Sequence, residues 1–274
     1  MRTRSVLLLV ASALIAASTT AHAQISLGSP SVAEHQAEPG ESYTGTIVVR
    51  NSSNTPQEAK IYHTDYLSFA NGTTSYGEPG TTPRSNARWI TVQPSYVSVP
   101  PHQAVEVTYT VHVPTHMARP LVGTYWSMLM VEGIPKGSAE SRYASTAGQR
   151  KVQMGIVTRL RYAVQIVTDI GDTGTRTVQF ANPKTVVDTH GKRLQFDLSN
   201  TGERAYRPRI TLELYSETGD RVTTSAATRE LIYPGTSLRQ SFTLSRIPHG
   251  QYRALVIVDS GGDDAFGAQF TITL

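Results

Sequence analysis

From Lys151 to Val167 the chain reads KVQMGIVTRLRYAVQIV. Every second residue of this stretch forms one file: Val152, Met154, Ile156, Thr158, Leu160, Tyr162, Val164 and Ile166. The other file holds Lys151, Gln153, Gly155, Val157, Arg159, Arg161, Ala163 and Gln165. A strand points alternate side chains to opposite faces, so the pattern predicts one strand with an almost wholly apolar face. Strands usually run about 5–6 residues, and this one is roughly three times as long. Such a face has to be covered by something, within the chain or outside it.

The same period of two recurs along the sequence, and helical stripes are nearly absent. In AVEVTYTVHV, Val105, Val107, Tyr109, Val111 and Val113 face one way, and Glu106, Thr108, Thr110 and His112 face the other. Thr124 to Val131, TYWSMLMV, is apolar on both faces, as a central strand covered on both sides would be. GESYTGTIVVRN, EAKIYHTDYLSF and RWITVQP supply further strands, with turn signals at Pro39-Gly40, Asn71-Gly72, Pro79-Gly80 and Pro100-Pro101 between them. Beyond GDTGT (Gly171 to Thr175) a second set follows: LQFDLSN, RITLELY, LRQSFTL, QYRALVIV and FGAQFTITL. Short strands at this spacing predict an all-β protein of two tandem immunoglobulin-like antiparallel β-sandwich domains. The boundary is expected near Ile170, giving domains at 24–169 and 170–274.

One stretch belongs to neither set. Gly133 to Lys151, GIPKGSAESRYASTAGQRK, is small, polar and long for a connection that is commonly about 2–5 residues. It reads as a mobile loop from Pro135 to Arg150, because residues of this kind bury too little to offset ordering entropy.

The chain opens with Arg2 and Arg4, a short apolar core from Val6 to Ala17, and Ala21-His22-Ala23. That is the pattern of a cleaved secretory signal peptide over 1–23, with the mature chain starting near Gln24. The apolar core is shorter than the roughly 20 residues that span a bilayer. No later segment is apolar enough to cross one, so no membrane insertion is expected. The expected location is the periplasm or the exterior. With no cysteine in the sequence, no disulfide framework is possible and stability rests on ordinary cores. The formal charge of +4 becomes +2 without Arg2 and Arg4. Basic residues do not cluster with aromatics, so nucleic acid is not an expected partner.

Catalytic signals are missing. There is no G-x-S-x-G elbow, no phosphate-binding G-x-x-x-x-G-K-[ST] and no cysteine nucleophile. His112 and His116 are four apart at the end of a strand, which separates them by about 13 Å and does not suit a metal. Ser260 to Asp264, SGGDD, reads as a turn. The sequence predicts no enzyme, no cofactor and no metal site.

Three stretches together resemble the periplasmic pilus-assembly chaperones. WITVQPSYVSVPPHQAVEVTYTV resembles a strand entering a proline turn in that family, GTYWSMLMVEGIPKG its aromatic-rich central strand, and VQMGIVTRLRYAV the last strand of its first domain. The resemblance spans roughly Trp89 to Val164. It implies two immunoglobulin-like domains and a chaperone that holds a pilus subunit by lending it a strand, a form of β-augmentation. It further implies a pilin-like protein client, with an outer-membrane usher as a possible second partner. Val152, Met154 and Ile156 would be the donor residues. Arg161 falls where the family has a lysine that anchors the client's terminal carboxylate, and arginine suits bidentate carboxylate binding. It should then lie in the cleft between the domains. The family's second anchor, an arginine on the first strand, is matched here by Ser31, a departure that weakens that mechanism. The alternative is a secreted immunoglobulin-like adhesion or surface-interaction protein without chaperone activity. EPGESYTGTIVVRNSSNTPQEAKIYHTDY and PHGQYRALVIVDSGGDDAFGAQFTITL have that character.

Overall fold

The computed structural model describes residues 25–142, 159–189, 191–227, 230–261 and 264–274. The first half is two sheets face to face. One has the order β1 (Ile25–Leu27), β3 (Ser42–Asn51), β8 (Ala104–His112), β6 (Ile90–Gln93). The other runs β2 (Val32–Ala37), β10 (Arg161–Ile170), β9 (Gly123–Ile134), β4 (Gln57–Ser68), β5 (Thr74–Gly77), with β7 (Tyr96–Val99) also on β4. The alternation in the sequence explains how they meet. Val107, Tyr109 and Val111 of β8 are buried and Glu106, Thr108 and His112 are exposed. β9 is buried from Gly123 to Glu132, as a strand covered on both faces must be. Tyr125, Leu129 and Val131 enter the first core, while Trp126 points the other way into a separate cluster.

The second half repeats the plan. One sheet has the order β11 (Val178–Asp188), β12 (Gly191–Asn200), β15 (Ser237–Thr243). The other runs β14 (Arg221–Ala226), β13 (Arg209–Tyr215), β16 (Gln251–Asp259), β17 (Ala265–Thr273). Leu194, Phe196, Leu198, Ile210, Leu212 and Leu214, the alternating residues of the sequence, are its fully buried centre. The architecture is therefore all-β, two immunoglobulin-like sandwiches, as the sequence predicts. No helix among the described residues is long and apolar enough to cross a membrane.

A third cluster joins the halves. Trp126 stacks on Tyr233 with ring centroids 4.6 Å apart, and Val167 packs beside them. Polar bonds surround this contact. Thr124 N–H donates to the Glu203 carbonyl (2.9 Å), Ala205 N–H to Thr124 Oγ1 (2.8 Å), and Ala70 N–H to Ser237 Oγ (2.9 Å). Arg204, only 7% exposed, donates to the carbonyls of Gly171 (2.9 Å) and Thr173 (3.1 Å) and lies 3.6 Å from Asp169. Gly123 is needed here. Its φ is +71°, and a β-carbon would sit 2.1 Å from the Glu203 carbonyl oxygen.

Asp65 holds the loop that leads into this junction. It is fully buried and accepts from the backbone N–H groups of Gly80 (3.1 Å), Thr81 (2.9 Å) and Thr82 (2.8 Å), and from the Ser85 hydroxyl. Burial pushes its carboxyl up, but these hydrogen bonds outweigh it and hold the group below the usual carboxylate range. Its stabilisation is therefore present above the unfolded value of about pH 4 and lost as pH falls through the lower folded value. Asp65→Asn should cost about 2 kcal/mol at neutral pH, because an amide returns donors to a nest of donors. Urea titration checks this, and the variant's deficit should shrink as the pH is lowered.

Candidate functional site

β10 has β9 beside it along its whole length, from Arg161 opposite Glu132 to Ile170 opposite Gly123. On its other side β2 runs parallel, but only from Gln165 opposite Val32 to Ile170 opposite Ala37. Among the described residues, Arg161 to Val164 therefore have a strand on one side only. The cause is local. Upstream of Val32 the chain crosses through Gly28-Ser29-Pro30-Ser31 to β1, which belongs to the opposite sheet.

The register shows which groups are left open. Gly133 N–H donates to the Leu160 carbonyl (3.3 Å), and Gln165 N–H to the Ser31 carbonyl (2.8 Å). In an antiparallel ladder these directions alternate. Even-numbered residues of β10 bond to β9, and odd-numbered ones point away from it. The N–H and C=O of Arg161 and Ala163 thus face the open side. Ser31 stands at the end of the partnered stretch and contributes a carbonyl to the ladder.

The side chains follow the same alternation. Val164 and Ile166 are buried in the first core and Tyr162 is partly buried against it. Leu160 continues the same apolar file, whose lower part from Leu160 to Ile166 suits the chain's own core, but it does not join them: it is 41% exposed. It lies across from Gly133, which offers no side chain to pack on. The donor candidates Val152, Met154 and Ile156 lie outside the described residues, as does the first half of the long strand read from the sequence.

Arg161 sits on the outer face in a cluster of charges. Glu132, almost fully buried, receives Arg161 Nε (2.8 Å) and the Tyr62 hydroxyl (2.9 Å), with Arg159 Nη1 at 3.3 Å and Lys60 Nζ at 3.8 Å. Lys60, Glu132 and Arg161 are direct neighbours across three adjacent strands. Burial pushes the Glu132 carboxyl up, but the Tyr62 hydrogen bond and the charges of Lys60 and Arg161 prevail and hold it below its usual range. Glu140 pairs with Lys60 (2.9 Å) and lies 3.9 Å from Arg159. Three cations against two carboxylates leave the end of the open edge with a positive excess. The Arg161 side chain remains 58% exposed, so its bond to Glu132 orients it without removing it from solvent.

The cleft between the halves is elsewhere. It encloses about 530 Å³ and is lined in part by Leu67, Phe69, Arg84, Trp126, Thr201 and Pro234. Arg161 is not among its lining residues. The cation there is Arg84, whose Nη1 donates to the Val122 carbonyl (2.8 Å) and whose Nη2 lies 3.8 Å from Glu203. Arg161 lies four positions before Gln165, where the junction starts at the Tyr233 hydroxyl, a distance of about 13 Å along a strand. The sequence carried no sign of Arg84, which lies in a polar loop.

Part of the segment expected to be mobile is tied down. Residues 135–142 fold back on β4 and β7. Glu58, buried on β4, accepts from the Ser141 hydroxyl, the Arg142 N–H (3.0 Å) and the Tyr96 hydroxyl. The Arg142 guanidinium lies 4.1 Å from the centre of the Tyr96 ring. The polar composition suggested a loop with nothing to hold it, but a buried carboxylate on the neighbouring strand provides the acceptors. Residues 143–151 lie outside the described residues.

Among the described residues no three His, Asp or Glu side chains converge as metal ligands. His112 Nδ1 is 2.8 Å from Ser42 Oγ, which occupies it locally.

No protein-family model matches the chain, and no curated protein matches it. Solved structures do align with it. A class 5 fimbriae chaperone, CfaA, aligns at a TM-score of 0.48 and 12% identity, over 89% of this chain and 98% of that one. A chain of the CsuC–CsuE chaperone–tip adhesion subunit pre-assembly complex of Acinetobacter baumannii aligns at 0.45 and 10%, over 90% and 98%. The E. coli chaperone DraB aligns at 0.42 and 18%, over 89% and 95%.

Proposed function

We propose that this chain is a periplasmic chaperone with domains at 24–169 and 170–274, reached through the signal peptide at 1–23. It holds a pilin-like subunit that lacks a strand by lending it the strand that contains β10. The observation that carries this reading is the open edge at Arg161 and Ala163, whose backbone groups point away from β9 toward a side with no strand among the described residues. An edge of this kind is a template for a foreign strand. Backbone bonds supply affinity, and alternate side chains supply register. Upstream of the edge, Val152, Met154 and Ile156 give the apolar alternation that would fill a client's groove. Arg161, oriented by Glu132 and still exposed, would take the client's carboxylate. An outer-membrane usher would receive the loaded complex.

Capture of a pilin-like subunit lacking its final strand tests the reading. Met154→Asp, alone or with Ile156→Asp, should abolish capture with melting unchanged, because an unpaired carboxylate in an apolar groove is expensive. Ile166→Asp is the control that breaks the fold, since Ile166 is fully buried. Undiminished capture by the double variant would refute strand donation.

A further inference from the structure

The second half has an open edge of its own. β17 is bonded to β16 along Ala265–Thr273 and has no strand on its other side among the described residues. Its nine residues, AFGAQFTIT, contain neither charge nor proline. The other edges of this half are different. β11 carries Pro183, Lys184 and Asp188 and a register shift between Ala181 and Lys184. β15 carries Arg239, and β14 carries Arg221. Charges, prolines and bulges are the usual means of blunting an edge against association. β17 has none of them.

The hydrogen-bond directions are again fixed by the register. Leu274 and Gly250 exchange both backbone bonds, at 3.0 and 3.2 Å. Even-numbered residues of β17 therefore bond to β16, and Ala265, Gly267, Gln269, Thr271 and Thr273 turn N–H and C=O outward. The same odd-numbered residues are exposed, while Phe266, Ala268 and Phe270 are half-buried and Ile272 is buried. Beneath the edge β11 of the facing sheet comes close to β17. A groove of about 420 Å³ lies between Pro183–Thr185 of β11 and Gln269–Thr273 of β17.

We infer that β17 pairs edge to edge with β17 of a second copy of this chain. The strand is self-complementary in one antiparallel register, with Gln269 facing Gln269 on a two-fold axis. Gly267 then faces Thr271, and Ala265 faces Thr273. On the inner face, Ala268 meets Phe270 and Phe266 meets Ile272, so each small residue meets a larger one or two large ones share the open seam. All outward groups are used, giving about ten backbone bonds. No like charges meet, since the strand has none, and the half-buried phenylalanines lose their remaining exposure as the sheet continues across the axis. A charged foreign strand would not fit an uncharged edge as well, and the second copy always offers the matching one. This inference is independent of the strand-donation reading, which concerns β10 in the first half and a different edge.

Sedimentation of the purified chain over a wide concentration range tests it. The parent should dimerise reversibly. Gln269→Pro removes an outward N–H that β16 does not use, which an edge strand tolerates, and it should weaken the dimer at least about tenfold with melting unchanged. Gln269→Lys places two ammonium groups face to face and should do the same without any backbone change. Ala163→Pro, at the open edge of β10, should leave the dimer intact. A parent that stays monomeric throughout, a dimer that survives Gln269→Lys, or a dimer lost with Ala163→Pro and kept with Gln269→Pro would each overturn the inference.

Discussion

Ala163→Pro should reduce client binding about 100-fold and leave the protein folded. The N–H of Ala163 faces the open side of β10, so proline there removes no bond to β9. The backbone is already extended, as the residue before a proline requires. In the complex the same N–H would enter the ladder with the client's strand, and the proline ring would stand where that strand must approach. The lost ladder bond and the obstructing ring act together, and the stated loss of affinity corresponds to about 2.7 kcal/mol. Titration calorimetry with a groove-exposed subunit measures the affinity, and thermal unfolding measures the fold. Proline at Val164, whose N–H turns toward β9, should damage the free protein instead. The contrast between adjacent positions separates edge donation from a general loss of structure.

Arg204→Ala should cost about 3 kcal/mol, because it leaves two carbonyls without their donor and half-buried Asp169 without its partner. Arg204 donates to the carbonyls of Gly171 and Thr173 and faces Asp169. Asp169 is already pushed up by burial; the Thr124 hydroxyl, Arg204 and Arg176 offset this in part, and Glu34 nearby pushes it further up. Without Arg204 it should rise more. A carboxyl whose folded value lies above its unfolded one adds stability in acid and loses it as pH rises through the folded value. The variant's deficit should thus be largest at neutral pH and smaller near pH 4. Because these residues bridge the two halves, the variant should also unfold in two separate steps. Urea unfolding followed by Trp126 fluorescence and by far-ultraviolet dichroism reads both effects.

The residues explain which parts of this structure a sequence reader finds. Leu194, Phe196 and Leu198, or Val107, Tyr109 and Val111, declare their strands because one face is apolar and the other polar. β11 and β14 went unseen because most of their residues are half-buried or exposed, and VTTSA has no apolar face to detect. The two-sided burial of β9 was legible, yet its consequence was not. Trp126 faces the second half rather than the first core, and only the fold places Tyr233 against it. The charged site shows the same boundary. Arg161 stood out beside its strand, but its orienting partner Glu132 lies 29 residues earlier and meets it only through the β9–β10 register. Leu160 fitted the apolar file, and its exposure depends on a bare glycine on the neighbouring strand. Local periodicity carries element type and facing; cross-strand register, which places every partner of the site, is not local.

The central claim is that a client strand pairs with the open edge of β10. Residue-resolved amide hydrogen exchange tests it most directly. In the free protein Tyr162 and Val164 should be protected by β9, while Arg161 and Ala163 exchange fast. With saturating pilin-like subunit, Arg161 and Ala163 should slow to the rate of their neighbours. Fast exchange at both residues in the saturated complex would contradict the account.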